Sequence, residues 1–469
     1  MAKRRMAAAP GGQTRPAGAG GQARPAYGGR PMDGDRRRTG TNPAAQSGPV
    51  RPRPVQAQSG SVRPRSAQAQ SGSARPRPVQ AQGYDPQEAR AQKKKVRHFY
   101  DYSLLFSIIF LTAFGLVMIY SASSYSAQLD PRYGGNGAYF MQRQGAIAAV
   151  GFVVLFIVSK MDYHFFAKFS VLGYVMSYVL MIAVSLVGTE ANGKKRWLGI
   201  GPVSFQPTEF VKIALILMLA AVITSVGHRI NRPKTALSVA ALALPLAGLI
   251  AMNNLSSGII VCGIVFVMLF VACKVKWPFF AMGAAAGGIL AGAGPIGNAL
   301  LQIGLLKPYQ FNRIEAWLNP ESDPTGNGFQ VLQGLYAIGS GGLVGQGLGE
   351  SIQKLGFLPE SQNDMIFAII CEELGLFGAV SIILIFLFMI YRFMVIANNA
   401  PDLFGAMLVV GVMGHIAIQV ILNIAVVTNT IPNTGITLPF ISYGGTSILF
   451  LLVEMGMVLS VSNQIKLEK

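Results

Sequence analysis

From Ser103 onward the chain alternates long apolar runs with short polar breaks. Ten runs have the length of roughly 20 residues that a bilayer core demands of a helix. They lie at about 103–122, 142–159, 165–187, 206–226, 234–252, 257–273, 279–304, 365–393, 402–427 and 437–461. Lipid offers no partner to a backbone N–H or C=O, so runs of this length predict helices. The pattern therefore predicts an all-α polytopic membrane protein with about ten transmembrane helices. The seventh run (MGAAAGGILAGAGPIG) is Gly/Ala-rich, which suits close helix packing. Two polar segments are too long to be simple connections. One lies between runs three and four; the other, about 305–364, separates runs seven and eight. A structureless loop of that length is uncommon and usually functional. Within it Val331, Leu332, Leu335, Tyr336 and Ile338 predict a short helix, followed by Gly-rich turns.

Composition divides the chain at about residue 98. Charged residues make up only 13% of the whole, far below a soluble protein's share. The net charge of +19 is concentrated: residues 1–98 carry 20 Lys+Arg against 4 Asp+Glu, and residues 99–469 carry 19 against 16. The first segment is rich in Pro, Arg, Gln, Gly and Ser. It repeats a twelve-residue unit, RPRPVQAQSGSV from Arg51, RPRSAQAQSGSA from Arg63 and RPRPVQAQ from Arg75. Such a segment cannot bury enough apolar surface to offset its ordering entropy, so 1–98 is expected to be a disordered basic tail and 99–469 the membrane domain. The tail is either an arm for anionic lipid or an acidic partner, or a non-specific soluble extension. No nucleic-acid partner is expected.

Orientation follows from the positive charges. Lys93, Lys94, Lys95 and Arg97 precede the first run, and Lys160, Arg229, Arg232, Lys234, Lys274 and Lys276 fall in alternate loops. The positive-inside bias then places the N- and C-termini in the cytoplasm and the 305–364 segment outside. Cys262, Cys273 and Cys371 form no CxxC, and His98, His164, His228 and His415 form no metal-ligand pattern. No metal site is expected, and a need for a divalent cation is not legible. Glu209 and Lys212, three apart at the head of run four, share a helix face; they are either a mutual salt bridge or a cavity-lining pair. Glu372 and Glu373 lie inside run eight, facing either a polar cavity or a neighbouring helix. His415, Gln419 and Asn423 recur at every fourth residue on run nine and read as interhelical glue in preference to a proton path. Ser442, Tyr443, Gly444 and Gly445 interrupt run ten.

Five motifs stand out: GKKRWLGIGPVSFQPTEFVK (193–212), NPESDPTGNGFQ (319–330), AIGSGGLVGQGLG (337–349), QKLGFLPESQNDMIFAIICEELG (353–375) and TGITLPFISYGGTS (434–447). On these the chain resembles the SEDS family of peptidoglycan glycosyltransferases, the FtsW/RodA type, over about 100–465. GLVMIYSASS (115–124) and TLPFISYGGTS make it more like the division type than the elongation type. The resemblance implies an inner-membrane enzyme that polymerises lipid II, a disaccharide-pentapeptide on undecaprenyl diphosphate, into β-1,4 glycan strands. It also implies a class B penicillin-binding protein as transpeptidase partner, alongside other division or elongation membrane proteins. The family's catalytic aspartate falls in LPExxTDFIF, which matches Asp364 here, with Asn363 and Met365 replacing the usual Thr and Phe. From the residues alone, Asp364 is either a general base or the N-cap of the following helix. Outer cations suited to a diphosphate are Lys194, Lys195, Arg196 (beside Trp197), Arg313 and Lys354, with Arg196 favoured. The rivals are an elongation-type polymerase, a lipid II flippase and a non-catalytic scaffold.

Overall fold

The computed structural model describes residues 97–191, 194–200, 203–304, 308–326 and 328–467. The repeat-bearing segment 1–96, and with it the expected disordered tail, lies outside the described residues.

Asp101, Asn254 and Asp402 each cap the start of a long helix. The first, α1 (Tyr102–Leu129), starts at Asp101, whose carboxylate accepts from Leu104 N at 2.9 Å. Then come α2 (Tyr139–Lys160) and α3 (Ser170–Val187). Next, α4 (Pro207–Val226) opens with proline and carries Glu209 in its first turn. It is followed by α5 (Pro233–Asn253) and α6 (Leu255–Ala272), the latter capped by Asn254. The seventh apolar run is two helices, α7 (Trp277–Ala291) and α8 (Ala293–Gln302), bent by 76°. After it stand α9 (Pro308–Leu318) and α10 (Phe329–Gly341). Three long helices complete the bundle: α11 (Ile366–Asn398), α12 (Leu403–Val427) and α13 (Gly445–Gln464). Small residues bring α2 and α13 together: a Cβ on Gly151 would meet Leu452, and one on Gly456 would meet Val158.

The number of crossings follows from which ends meet. Strand β1 (Arg97–His98) pairs antiparallel with Lys466–Leu467, so the start of α1 and the end of α13 share one side. Arg392, near the end of α11, grips Asp101 there at 2.7 Å. On the same side Lys274 N, after α6, donates to Asn231 Oδ1 at 2.8 Å. On the opposite side Trp317 Nε1 of α9 donates to Asn429 O, just past α12, at 3.0 Å. Among the described residues the bent pair thus takes the chain from one face to the other once, and with the nine long apolar helices it gives ten candidate crossings.

Two elements went beyond the apolar pattern. The polar segment after α3 folds into a small antiparallel sheet of β2 (Thr189–Ala191), β3 (Lys194–Ile200) and β4 (Val203–Phe205). Its register pairs Thr189 with Trp197 and Leu198 with Phe205. The tenth apolar run is a correction: residues 437–444 are extended backbone and turn, and helix starts only at Gly445. Pro439 and the glycines explain the delay, since neither supports a helix interior.

The GSGGLVGQGLG segment has a defined task. Helix α11 breaks at Gly375 (φ 64°, ψ −165°), and the segment lies across the break. Gln346 N and Gly347 N donate to the carbonyls of Glu372 and Glu373 at 2.9 and 3.0 Å, while Leu376 N donates to Gly342 O at 2.9 Å. These bonds replace the helical ones lost at the break. A Cβ on Gly345 would sit 2.2 Å from Glu373 O, so the contact needs glycine.

Candidate active site

Asp364 lies on the face opposite β1, one turn ahead of α11. It does not cap that helix: the cap position is Met365, with no side-chain cap bond. The carboxyl is 8% exposed, and its Oδ1 has no hydrogen-bond partner. A buried carboxylate without an ion pair is costly. Burial pushes its pKa from 3.8 up to about 7; Glu360 adds to the rise, while Arg313 draws it back. Gly435 faces the carboxylate, a Cβ there lying 3.5 Å from Oδ2.

A cavity of about 300 Å³ opens beside Arg313, with Phe329, Gln330, Pro359 and Asn433 also in its wall; Pro359 and Asn433 are the near neighbours in sequence of Glu360 and Gly435. Asn433 Nδ2 donates to Gln330 Oε1 at 2.7 Å, and Asn433 Oδ1 accepts from Gly435 N at 3.2 Å. Arg313 is solvent-exposed on α9. Glu360, Gln330, Asn433 and Gly435 were not singled out from the sequence. All four sit inside the LPE, NGFQ and NTG stretches around the motifs, which was the available signal.

The other expected site residues scatter around this centre. Arg196 Nε donates to Asn253 O, at the end of α5, at 3.4 Å. Ser256, three residues on, hydrogen-bonds Thr434 O beside Gly435, so Arg196 sits on the same rim as Asp364. Trp197 is half-buried in β3. The side chains of Lys194 and Lys195 lie outside the described residues. Glu209 and Lys212 form a buried salt bridge at 2.9 Å, and Ser447 donates to Glu209 at 3.2 Å. The Ser447 bond ties α4 to the head of α13.

Lys354 is placed differently from the two arginines. Its ammonium is buried and meets Glu373 at 2.8 Å and Ser121 Oγ at 3.0 Å. The pair stands beside a second cavity of about 430 Å³, which Lys354 lines with Ser121, Ser124 and Gln128. Glu372 accepts from Ser351 Oγ at 2.5 Å and Ile352 N at 3.0 Å. Together the two glutamates clamp the 351–354 turn to α11. Among the described residues no three His, Cys, Asp or Glu side chains converge as a metal site.

Among the described residues, nine long apolar helices with one bent pair, and a buried carboxyl at one mouth of the bundle whose Oδ1 has no partner, define a polytopic membrane protein. The family model described as "Cell cycle protein", FtsW/RodA/SpoVE, matches residues 102–467, and the chain belongs to that family. It is 40% identical to stage V sporulation protein E of Bacillus subtilis strain 168, over 77% of this chain and 96% of that one. It is 37% identical to the probable peptidoglycan glycosyltransferase FtsW of Trichlorobacter lovleyi, over 78% and 94% of the two chains. Among solved structures it resembles a chain of a peptidoglycan synthase complex (TM-score 0.62, 29% identity, covering 77% and 97%). It also resembles the rod shape determining protein RodA of Thermus thermophilus (TM-score 0.55, 26% identity, covering 78% and 97%).

Proposed function

We propose that this protein is a membrane peptidoglycan glycosyltransferase in which Asp364 is the general base. The observation that carries the assignment is a carboxyl that is buried, caps no helix and leaves Oδ1 unpartnered at the mouth of the bundle. The substrate is lipid II. Asp364 takes the proton from the acceptor's 4-hydroxyl as that oxygen bonds to the donor's anomeric carbon. The bond from that carbon to the undecaprenyl diphosphate breaks, inverting an α linkage to β-1,4. A diphosphate is a good leaving group when cations hold its charge, so no second carboxylic acid is needed. Arg313 at the cavity and Arg196 on the rim supply that charge, and guanidinium forks match phosphate oxygens.

The relatives named FtsW, together with the GLVMIYSASS and TLPFISYGGTS motifs, support a role in septal wall synthesis. The synthase-complex neighbour supports a partner of the class B penicillin-binding type. Lys160, Arg229, Arg232, Lys234, Lys274 and Lys276 gather on the face of β1, which favours that face as cytoplasmic in an inner membrane. In a variant without the native cysteines, Thr325→Cys is then labelled by an impermeant reagent from outside, and Lys234→Cys only after permeabilisation. The reverse pattern would invert the topology.

The activity is tested by the pH profile of lipid II polymerisation. A base must be deprotonated, so the rate rises with pH along a limb centred near 7 and is flat above it. Arg313 lowers the Asp364 pKa and Glu360 raises it. Arg313→Gln therefore moves the limb to higher pH, and Glu360→Gln moves it to lower pH. A profile without an acid limb in that range would remove Asp364 from the proton transfer.

A further inference from the structure

The polar stripe of α12 has a part in this site. Its outermost member, Asn423, is fully buried. One amide group makes two bonds: Asn423 Nδ2 donates to the main-chain O of Asp364 at 2.8 Å and to the main-chain O of Ile436 at 2.7 Å. Ile436 follows Gly435, the residue facing the Asp364 carboxylate. Gly435 N is in turn held by Asn433, which lines the cavity beside Arg313. A single side chain thus joins the segment that carries the acid to the loop that walls the cavity.

The rest of the stripe differs in kind. Gln419 donates to Thr437 O at 3.0 Å, and His415 Nδ1 pairs with Glu454 at 2.8 Å. Those contacts tie α12 to the 437–444 segment and to α13, and they do not touch Asp364. Interhelical glue describes Gln419 and His415; it does not account for an amide aimed at the backbone of the acid.

We infer that Asn423 is a positioning residue for the reaction: by bridging the main chains of Asp364 and Ile436 it fixes the distance between the carboxylate and the cavity wall. The inference rests on Asp364 being the base. Proton abstraction requires the base within hydrogen-bond reach of the hydroxyl, and a displacement of about 1 Å can cost on the order of 100-fold in rate. Two buried carbonyls share one amide, so its loss leaves both unsatisfied and free to part. Charged groups around the acid are few. Glu360 and Arg313 face it, whereas α12 with α13 contributes the closed His415–Glu454 pair and α4 the closed Glu209–Lys212 pair.

The test uses full-length protein in detergent or proteoliposomes, with lipid II as substrate. Asn423→Leu keeps approximate size and removes the donor. We expect kcat to fall about 10- to 100-fold with KM within about twofold. The acid limb of the pH profile should shift away from that of wild type, because the carboxyl's position relative to Glu360 and Arg313 changes. Asn423→Gln, which retains the donor, should recover part of the rate. Gly435→Ala probes the same geometry without touching Asn423. Its φ of +69° is strained for alanine, although the added Cβ, 3.5 Å from Asp364 Oδ2, is only in ordinary contact; relief of that strain should shift the loop and lower kcat by more than any loss of folded protein accounts for. Wild-type kcat and an unmoved limb in Asn423→Leu, or a lowered melting temperature with unchanged turnover per folded molecule, would overturn the inference. If Asn423→Leu does not fold, Gly435→Ala decides alone, and near-normal kcat there overturns it. An Asp364→Asn protein that polymerises normally overturns the base assignment and this inference together. An acid limb lost only in Asp364→Asn upholds the former, whatever Asn423 does.

Discussion

Asp364→Asn should leave a folded protein whose polymerisation rate is lower by the ~10²–10⁴-fold typical of losing a general base. Asparagine keeps the shape of the side chain but cannot accept the proton. A cap lost from a helix would cost at most about 1–2 kcal/mol and leave turnover intact, but Asp364 caps nothing. The stability response has the opposite sign to that of an ordinary paired aspartate. The carboxyl titrates near 3.8 unfolded and at about 7 folded, so the folded state holds the proton more tightly. Wild-type stability therefore falls as pH rises from about 4 to about 7 and is level above. The asparagine variant lacks this slope and should melt higher than wild type at pH 8. A folded Asp364→Asn protein that still produces long strands would move the base elsewhere, with Glu209 the next carboxylate to substitute.

Glu373→Ala should be strongly destabilising. It leaves the Lys354 ammonium buried without its counter-charge, and breaking such a pair costs ~3–5 kcal/mol. The 351–354 turn would lose its Lys354 anchor on α11, and Ser121 of α1 its bond to Glu373, while Ser351 and Ile352 stay held by Glu372. We expect a loss of the monodisperse species in size-exclusion chromatography, or a large drop in melting temperature. The double variant Lys354→Met/Glu373→Leu removes both charges and should recover most of the stability. It also separates two roles for Lys354. Recovered folding with near-normal KM for lipid II marks the lysine as structural. Recovered folding with a greatly raised KM would place it at the diphosphate site.

Much of the architecture is legible in the chain because lipid simplifies the problem. An apolar run of about 20 residues that must satisfy its own backbone hydrogen bonds is helical, so eight of the ten runs each map onto one long helix with ends shifted by a few residues, run three opening with a separate short helix at His164–Lys168. Run seven maps onto a bent pair whose two helices meet at Gly292. Run ten misleads because hydropathy does not register Pro439 and the paired glycines as helix breakers. The polar segment after α3 offers no apolar period, and its strands are stabilised by pairing with each other, which linear spacing does not reveal.

The site divides in the same way. Asp364 is legible through its motif, and Glu209 and Lys212 through their spacing on one helix turn. What each charge does was decided by its neighbours in space. Lys354 and Arg313 are equivalent as cations along the chain. Folding closes one onto Glu373, nineteen residues away, and leaves the other exposed beside the cavity. From the residues alone Asp364 reads as cap or base, until the helix is seen to begin at Ile366 with the carboxyl buried and its Oδ1 unpartnered. Asn423 belongs to a stripe whose period is local. Its bond to the acid's backbone spans 59 residues. Covalent order and side-chain chemistry determined the crossings and the supply of ionisable groups. The pairing of those groups depends on distances and burial that arise only once α11, α12 and the 433–444 segment are packed together, because a charge's behaviour is set by what surrounds it.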